Sequence, residues 1–165
     1  VFGNLPYNIS TEILIKWILN LNEKKIWFNY LILMFQKEVA NRIIANFNTR
    51  NYGRLTILTN WRLEVKKLCD INPNCFQPKP KVESSLLLFQ PKEKFFNFIS
   101  SKSLEKVTRV FFMHRRKMIK KPFNQLFNND TDVAHKLGID LSLRPQNLEP
   151  NTYFQITKEY EFLRG

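Results

Sequence analysis

Apolar residues at Ile13, Leu14, Trp17, Ile18 and Leu21 recur at three- and four-residue intervals, the spacing that gathers them on one helix face. This predicts a helix of roughly three turns, with Ser10 as N-cap and Glu12 in the first turn, where a carboxylate complements the helix dipole. Before it, residues 1–3 read as the end of a buried strand entering the turn Asn4-Leu5-Pro6-Tyr7. After it, Glu23-Lys24-Lys25 reads as a solvated turn. Residues 26–35 are nearly continuous apolar and aromatic sequence, the pattern of a strand buried on both faces of a parallel sheet. Val39, Ala40, Ile43, Ile44 and Phe47 mark a second amphipathic helix, which the polar loop 48–53 ends, and Leu55, Leu58 and Arg62 suggest a third. Residues 65–71 and 85–90 predict two more strands, the second closed by Pro91. Strand, helix, strand, helix is the order of an α/β layered domain.

Between those last strands, residues 72–83 form a connection of about a dozen residues with three prolines and one exposed-looking aromatic, Phe76. Connections of that length without regular structure are usually functional or mobile. From residue 95 onward the signals are helical. Leu104, Val107, Val110, Phe111 and Met118 line one long helix running into Arg115-Arg116-Lys117. Pro122 stops it and opens a short helix over 123–127. Asp130 or Thr131 caps another, ending at Gly138, and Pro150 fits the first turn of a last helix carrying Tyr153, Ile156, Tyr160 and Leu163. The expected division is residues 1–91 as an α/β part and 92–165 as a small all-helical domain.

Composition narrows the class. The 165 residues are 44% hydrophobic and 14% aromatic, which supplies a core and excludes intrinsic disorder. The longest strictly apolar run, residues 31–35, is far short of the ~18 residues a bilayer span needs. Cys69 and Cys75 are the only cysteines, and His114 and His135 stand far from both, so neither a disulfide framework nor a metal-ligand spacing is present. A reduced, cytoplasmic setting is expected. Lys and Arg number 26 against 14 Asp and Glu, a net charge of +12. One reading is codon bias, since Lys, Asn, Ile and Phe are all abundant. The other is a polyanionic partner drawn to a basic surface. The densest cationic stretch is Arg115, Arg116, Lys117, Lys120 and Lys121, five cations within seven residues and no acid among them. Read for function, it contacts phosphate, with Arg54, Lys79 and Lys81 extending the track. Read blandly, it is a solvated helix face.

The stretch that carries chemistry is Asn4-Leu5-Pro6-Tyr7. The exocyclic amine of adenine is a poor nucleophile because its lone pair is delocalised into the ring. Two acceptors aimed at its two hydrogens favour a pyramidal nitrogen with the lone pair directed at a methyl donor. The Asn4 side-chain oxygen and the Leu5 carbonyl stand at that spacing, Pro6 stiffens the turn, and Tyr7 can stack on the base. Such a device works by orientation and preorganised dipoles. A plain strand-to-helix turn draws on the same residue types.

The resemblance extends beyond four residues. The segment Phe2-Gly3-Asn4-Leu5-Pro6-Tyr7-Asn8-Ile9-Ser10-Thr11 resembles motif IV of the ribosomal RNA adenine dimethyltransferase family. Further blocks are similar to that family in its order: Gln36-Lys37-Glu38-Val39 with Asn41-Arg42, Tyr52-Gly53-Arg54-Leu55, and Phe76-Gln77-Pro78-Lys79-Pro80-Lys81-Val82-Glu83-Ser84-Ser85. Arg115-Arg116-Lys117 and Leu137-Gly138-Ile139-Asp140 with Arg144-Pro145 complete the series. The resemblance implies a partial Rossmann-like methyltransferase sheet followed by the helical domain. It implies S-adenosylmethionine as methyl donor, with Asn4 beside it and the Gly-rich cofactor turn lying upstream of Val1. On this reading the chain is the carboxy-terminal part of an enzyme, inactive alone, whose incomplete sheet leaves an exposed strand edge. The implied substrate is small-subunit rRNA or the pre-ribosomal small subunit, dimethylated on two adjacent adenosines during ribosome biogenesis. Tyr7 and Phe76 would hold the two faces of the base, which must leave its helix or already be unpaired. Met118 and Pro122 depart from the family pattern after Arg-Arg-Lys. The alternatives are a non-catalytic RNA-binding assembly factor and a large-subunit rRNA methylase of the antibiotic-resistance type.

Overall fold

The computed structural model describes residues 1–21 and 26–164; the predicted turn at Glu23-Lys24-Lys25 lies outside the described residues. Among the described residues four strands form one sheet: β1 (Phe2–Asn4), β2 (Leu31–Gln36), β3 (Leu63–Ile71) and β4 (Ser84–Pro91), in the order β1-β2-β4-β3. Only β1 and β2 run parallel; β4 is antiparallel to both β2 and β3. The sheet is therefore mixed, where the apolar run of residues 26–35 pointed to a parallel one.

Among the described residues seven α-helices accompany it: α1 (Ser10–Asn20), α2 (Lys37–Ile43), α3 (Arg54–Arg62), α4 (Ser101–Phe112), α5 (Lys120–Phe127), α6 (Asp132–Lys136) and α7 (Pro150–Phe162). Alternation along the strands decides which sheet face they cover. Leu31, Leu33, Phe35, Leu87 and Phe89 are buried, whereas Ile32, Leu86 and Leu88 on the other face are half-buried and Phe2 is 82% exposed. Helix α3 is central and is buried on almost every side, from Leu55 through Leu58 to Trp61 and Arg62. It contacts α1, α2, α4 and α7 as well as β3. Its buried hydroxyl at Thr59 donates to the Leu55 carbonyl at 2.7 Å, so the polar group costs little in an apolar setting. One cluster of buried apolar residues runs unbroken from Leu14 and Leu33 through Trp61 to Phe111, Phe123, Tyr153 and Tyr160.

Four local expectations are corrected. Strand β1 is an exposed edge rather than a buried strand, because it has one neighbour and its Phe2 faces away from the helices. Residues 26–30 are not strand: β1 supplies partners only for Ile32, Leu33 and Met34, and Trp27 instead packs edge-on against Trp17. Ser10 is the first helical residue rather than the cap, with Ile9 in the cap position and the Ser10 hydroxyl donating to the Tyr7 carbonyl at 3.2 Å. Helix α4 stops at Phe112 instead of running through Arg115-Arg116-Lys117. Its continuation is a turn, closed by the Lys117 amide on the His114 carbonyl at 2.8 Å, and Met118 is 60% exposed rather than core. Gly138, at φ 62°, follows α6 in the left-handed conformation expected of a helix terminator.

Candidate active site and cationic surface

The turn after β1 is closed by the Ile9 amide donating to the Pro6 carbonyl at 3.1 Å. Gly3, just before it, lies so close to β2 that a Cβ there would meet Leu33 Cδ2 at 2.9 Å. On the other side, Tyr7 Oη and Ser84 Oγ form a hydrogen bond of 2.6 Å, which pins the aromatic ring to the first residue of β4. A cleft of about 240 Å³ opens beside this turn, lined by Asn4, Leu5, Pro6 and Tyr7 together with Met34, Phe76, Pro78 and Pro80. Four residues adjacent in sequence thus meet Phe76 of a distant loop around one cleft. Among the described residues neither the Asn4 side chain nor the Leu5 carbonyl has a hydrogen-bond partner. Two acceptors at the mouth of one cleft are therefore available to a donor from outside.

The loop 72–83 that brings Phe76 here is anchored at both stems. Asn72 Oδ1 accepts from the Asn74 amide at 2.9 Å, opening a short 3₁₀ turn over Pro73–Cys75, and the Gln77–Pro78 peptide is cis. At the far stem the Lys37 amide donates to the Glu83 carbonyl at 2.9 Å and the Lys37 ammonium to the Glu83 carboxylate at 2.6 Å. Asp70, at the near stem, accepts from Ser85 at 2.6 Å and from Lys67 at 3.0 Å, with Lys37 3.4 Å away. The Ser85 hydroxyl, then Lys67, hold the Asp70 carboxyl down at about 2, and the same two carboxylates raise the Lys37 ammonium above its usual range.

Met34 completes the site without having been singled out beforehand, and Pro78, Pro80 and Ser84, quoted above only as part of a block, were given no role there. Met34 sits in an apolar run, is buried and reads as core, so only the folded cleft, whose wall it joins, brings it into the site.

The cationic residues separate into four groups. Lys117, Lys120 and Lys121 line one broad groove of about 810 Å³ with His114, Met118 and Asn124 among its walls, and Arg116 is exposed beside them in sequence. Arg115 turns inward: its guanidinium donates to Gln146 Oε1 at 3.3 Å and to the carbonyls of Thr49 and Arg50, tying the turn after α4 to the loop before α3. Arg54 is half-buried at the start of α3, 3.7 Å from Glu105, and burial followed by the neighbouring Arg109 lowers its pKa. It does not line the cleft, whereas Lys79 and Lys81, both exposed, flank Pro80, which does. Among the described residues no cluster suited to a metal ion occurs and no helix is long and apolar enough to cross a membrane.

Known proteins are similar to this chain in sequence and fold. The ribosomal RNA adenine dimethylase family model matches residues 1–161. The chain is 66% identical over its whole length to ribosomal RNA small subunit methyltransferase A of Pelagibacter ubique, of which it spans 63%. It is 43% identical to the protein of that name from Ehrlichia ruminantium, with 94% of this chain and 58% of that one covered. Among solved structures, a dimethyladenosine transferase from Plasmodium falciparum superposes with a TM-score of 0.79 at 28% identity, over 96% of this chain and 65% of that one. A 23S rRNA methyltransferase, ErmE, shares the fold with a TM-score of 0.64 at 18% identity, over 98% and 64% of the two chains. The match over residues 1–161 and the mixed sheet with its accompanying helices place this chain in the ribosomal RNA adenine dimethylase family.

Proposed function

We propose that the whole protein dimethylates the exocyclic amines of two adjacent adenosines in small-subunit rRNA. In this reading residues 1–91 carry the chemistry and residues 92–165 carry contacts to rRNA or to the pre-ribosomal small subunit. The observation that supports it most directly is the pairing of two unpartnered acceptors, Asn4 and Leu5, with two aromatic rings, Tyr7 and Phe76, around one cleft. Longer relatives named for the small subunit favour that substrate over the large one, since likeness to ErmE is confined to the fold.

The roles follow from position. A flipped adenine enters between Tyr7, held in orientation by Ser84, and Phe76, held by the anchored loop. Asn4 Oδ1 and the Leu5 carbonyl accept the two amine hydrogens. That concentrates the lone pair and stabilises the charge that develops on nitrogen, without reorganisation at the moment of transfer. Pro6 lacks an amide hydrogen and stiffens the turn that presents both acceptors. S-adenosylmethionine supplies the methyl group when bound. The free Asn4 amide, at the end of an edge strand, is the group of this chain suited to lie against it.

The test is Asn4→Ala in the whole protein. Loss of one oriented acceptor should lower methylation by on the order of 10²-fold, with RNA affinity nearly unchanged. An unaltered rate removes Asn4 from the chemistry.

A further inference from the structure

A second cavity, of about 390 Å³, lies behind the stem of the loop that carries Phe76, and the roles assigned above leave it unused. Three amide side chains face it, Gln36, Asn41 and Asn51, and none of them makes a hydrogen bond among the described residues. Val82, 44% exposed, adds an apolar wall.

The charges around it are already matched or acidic. Lys37 is held by Glu83 at 2.6 Å, and Glu38 adds a further negative charge. A phosphate would meet net repulsion there. An uncharged planar ring with N–H and lone-pair edges would not. Asn and Gln amides are the side chains that pair with an adenine edge, and unpaired RNA bases are read in that way.

Its position relative to the cleft is the second argument. Met34 lines the cleft and Gln36 the cavity, two residues apart on one face of β2 and hence roughly 7 Å apart along the strand. Gln36 stands directly across from Ser84, whose hydroxyl holds Tyr7. Phe76, Pro78 and Pro80 of the loop face the cleft, and Val82 and Glu83 of the same loop face the cavity. The two chambers share a strand and a loop as walls. We propose that this cavity docks the base of a nucleotide adjacent to the target adenosine, read by Asn41, Asn51 and Gln36. The inference rests on the reading given under Proposed function.

The experiment uses the whole protein and an RNA oligonucleotide substrate in three forms: intact, abasic on the 5′ side of the target, and abasic on the 3′ side. One abasic position should raise KM about tenfold with kcat little changed. Asn41→Ala with Asn51→Ala should raise KM for intact RNA by a similar factor, about tenfold, and add nothing on that abasic RNA. Gln36→Ala should repeat the pattern. Neither asparagine side chain gives up a bond within the described residues, so the melting temperature should hold. Additive effects of variant and abasic site, or indifference to either change, overturn the subsite while leaving the methylation reading intact. A wild-type protein that fails to methylate intact RNA overturns both.

Discussion

Asp70 gathers a hydroxyl and two ammonium groups on one carboxylate, and this sets the sign of its pH dependence. Its folded pKa, about 2, lies below the ~3.9 of an unperturbed aspartate. The folded state thus binds the proton less readily than the unfolded one. The resulting stabilisation is fully present above about pH 4 and is lost as pH falls toward 2. Asp70→Asn removes it at every pH. The melting temperatures of wild type and variant should differ at neutral pH and converge between about pH 4 and pH 2. A constant gap across that window would show that the carboxylate charge contributes nothing. The network is exposed, so added salt should narrow the gap as well. Asn4 presents the opposite case at the same scale: its side-chain amide meets no partner within the described residues and can accept from a donor outside the chain.

At the scale of elements, the helices with strong periodicity and the strands flanked by prolines were legible beforehand. Helix α7 begins at Pro150, and β4 ends at Pro91, where the residue types require it. The turn Asn4-Leu5-Pro6-Tyr7 and Phe76 were named beforehand, the turn from its residue types and Phe76 from the resemblance, and the structure brings them to one cleft. Residues 26–30 and 113–117 were not legible. A run of aromatics pairs as a strand only where a neighbouring strand reaches, and a basic segment continues a helix only if no distant carbonyl captures its arginine. Both outcomes depend on groups far away in sequence. Two buried tyrosines are of the same kind. Tyr52, in the loop before α3, donates to the Leu148 carbonyl at 2.8 Å, and Tyr153 of α7 donates to the Pro145 carbonyl at 2.7 Å. Burial pushes both phenols upward, so they remain donors throughout the physiological range. Tyr52→Phe keeps the ring and strands a buried carbonyl, which should cost about 1–3 kcal/mol in urea unfolding. An unchanged midpoint would show that the carbonyl finds another donor.

Across the whole molecule, a net charge of +12 acquires meaning only from where the cations are free. Arg115 has its guanidinium committed to the loop before α3, and Arg54 shares Glu105 with Arg109. Lys117, Lys120 and Lys121 line an open groove instead, with Arg116 exposed next to Lys117 in the chain. The cluster that looks uniform in sequence therefore divides into a clamp and a surface. Replacing Arg116, Lys117, Lys120 and Lys121 by alanine should weaken RNA binding most at low salt. Each lost phosphate contact should flatten the log–log salt dependence by ~0.7–0.9, and the melting temperature should stay near the wild-type value. Arg115→Ala should do the reverse: it releases the loop before α3, lowers the melting temperature, and leaves the salt slope close to wild type. Equal loss of slope in both variants would return Arg115 to the RNA-binding surface and reduce its contacts at Thr49 and Arg50 to a feature of the unbound protein.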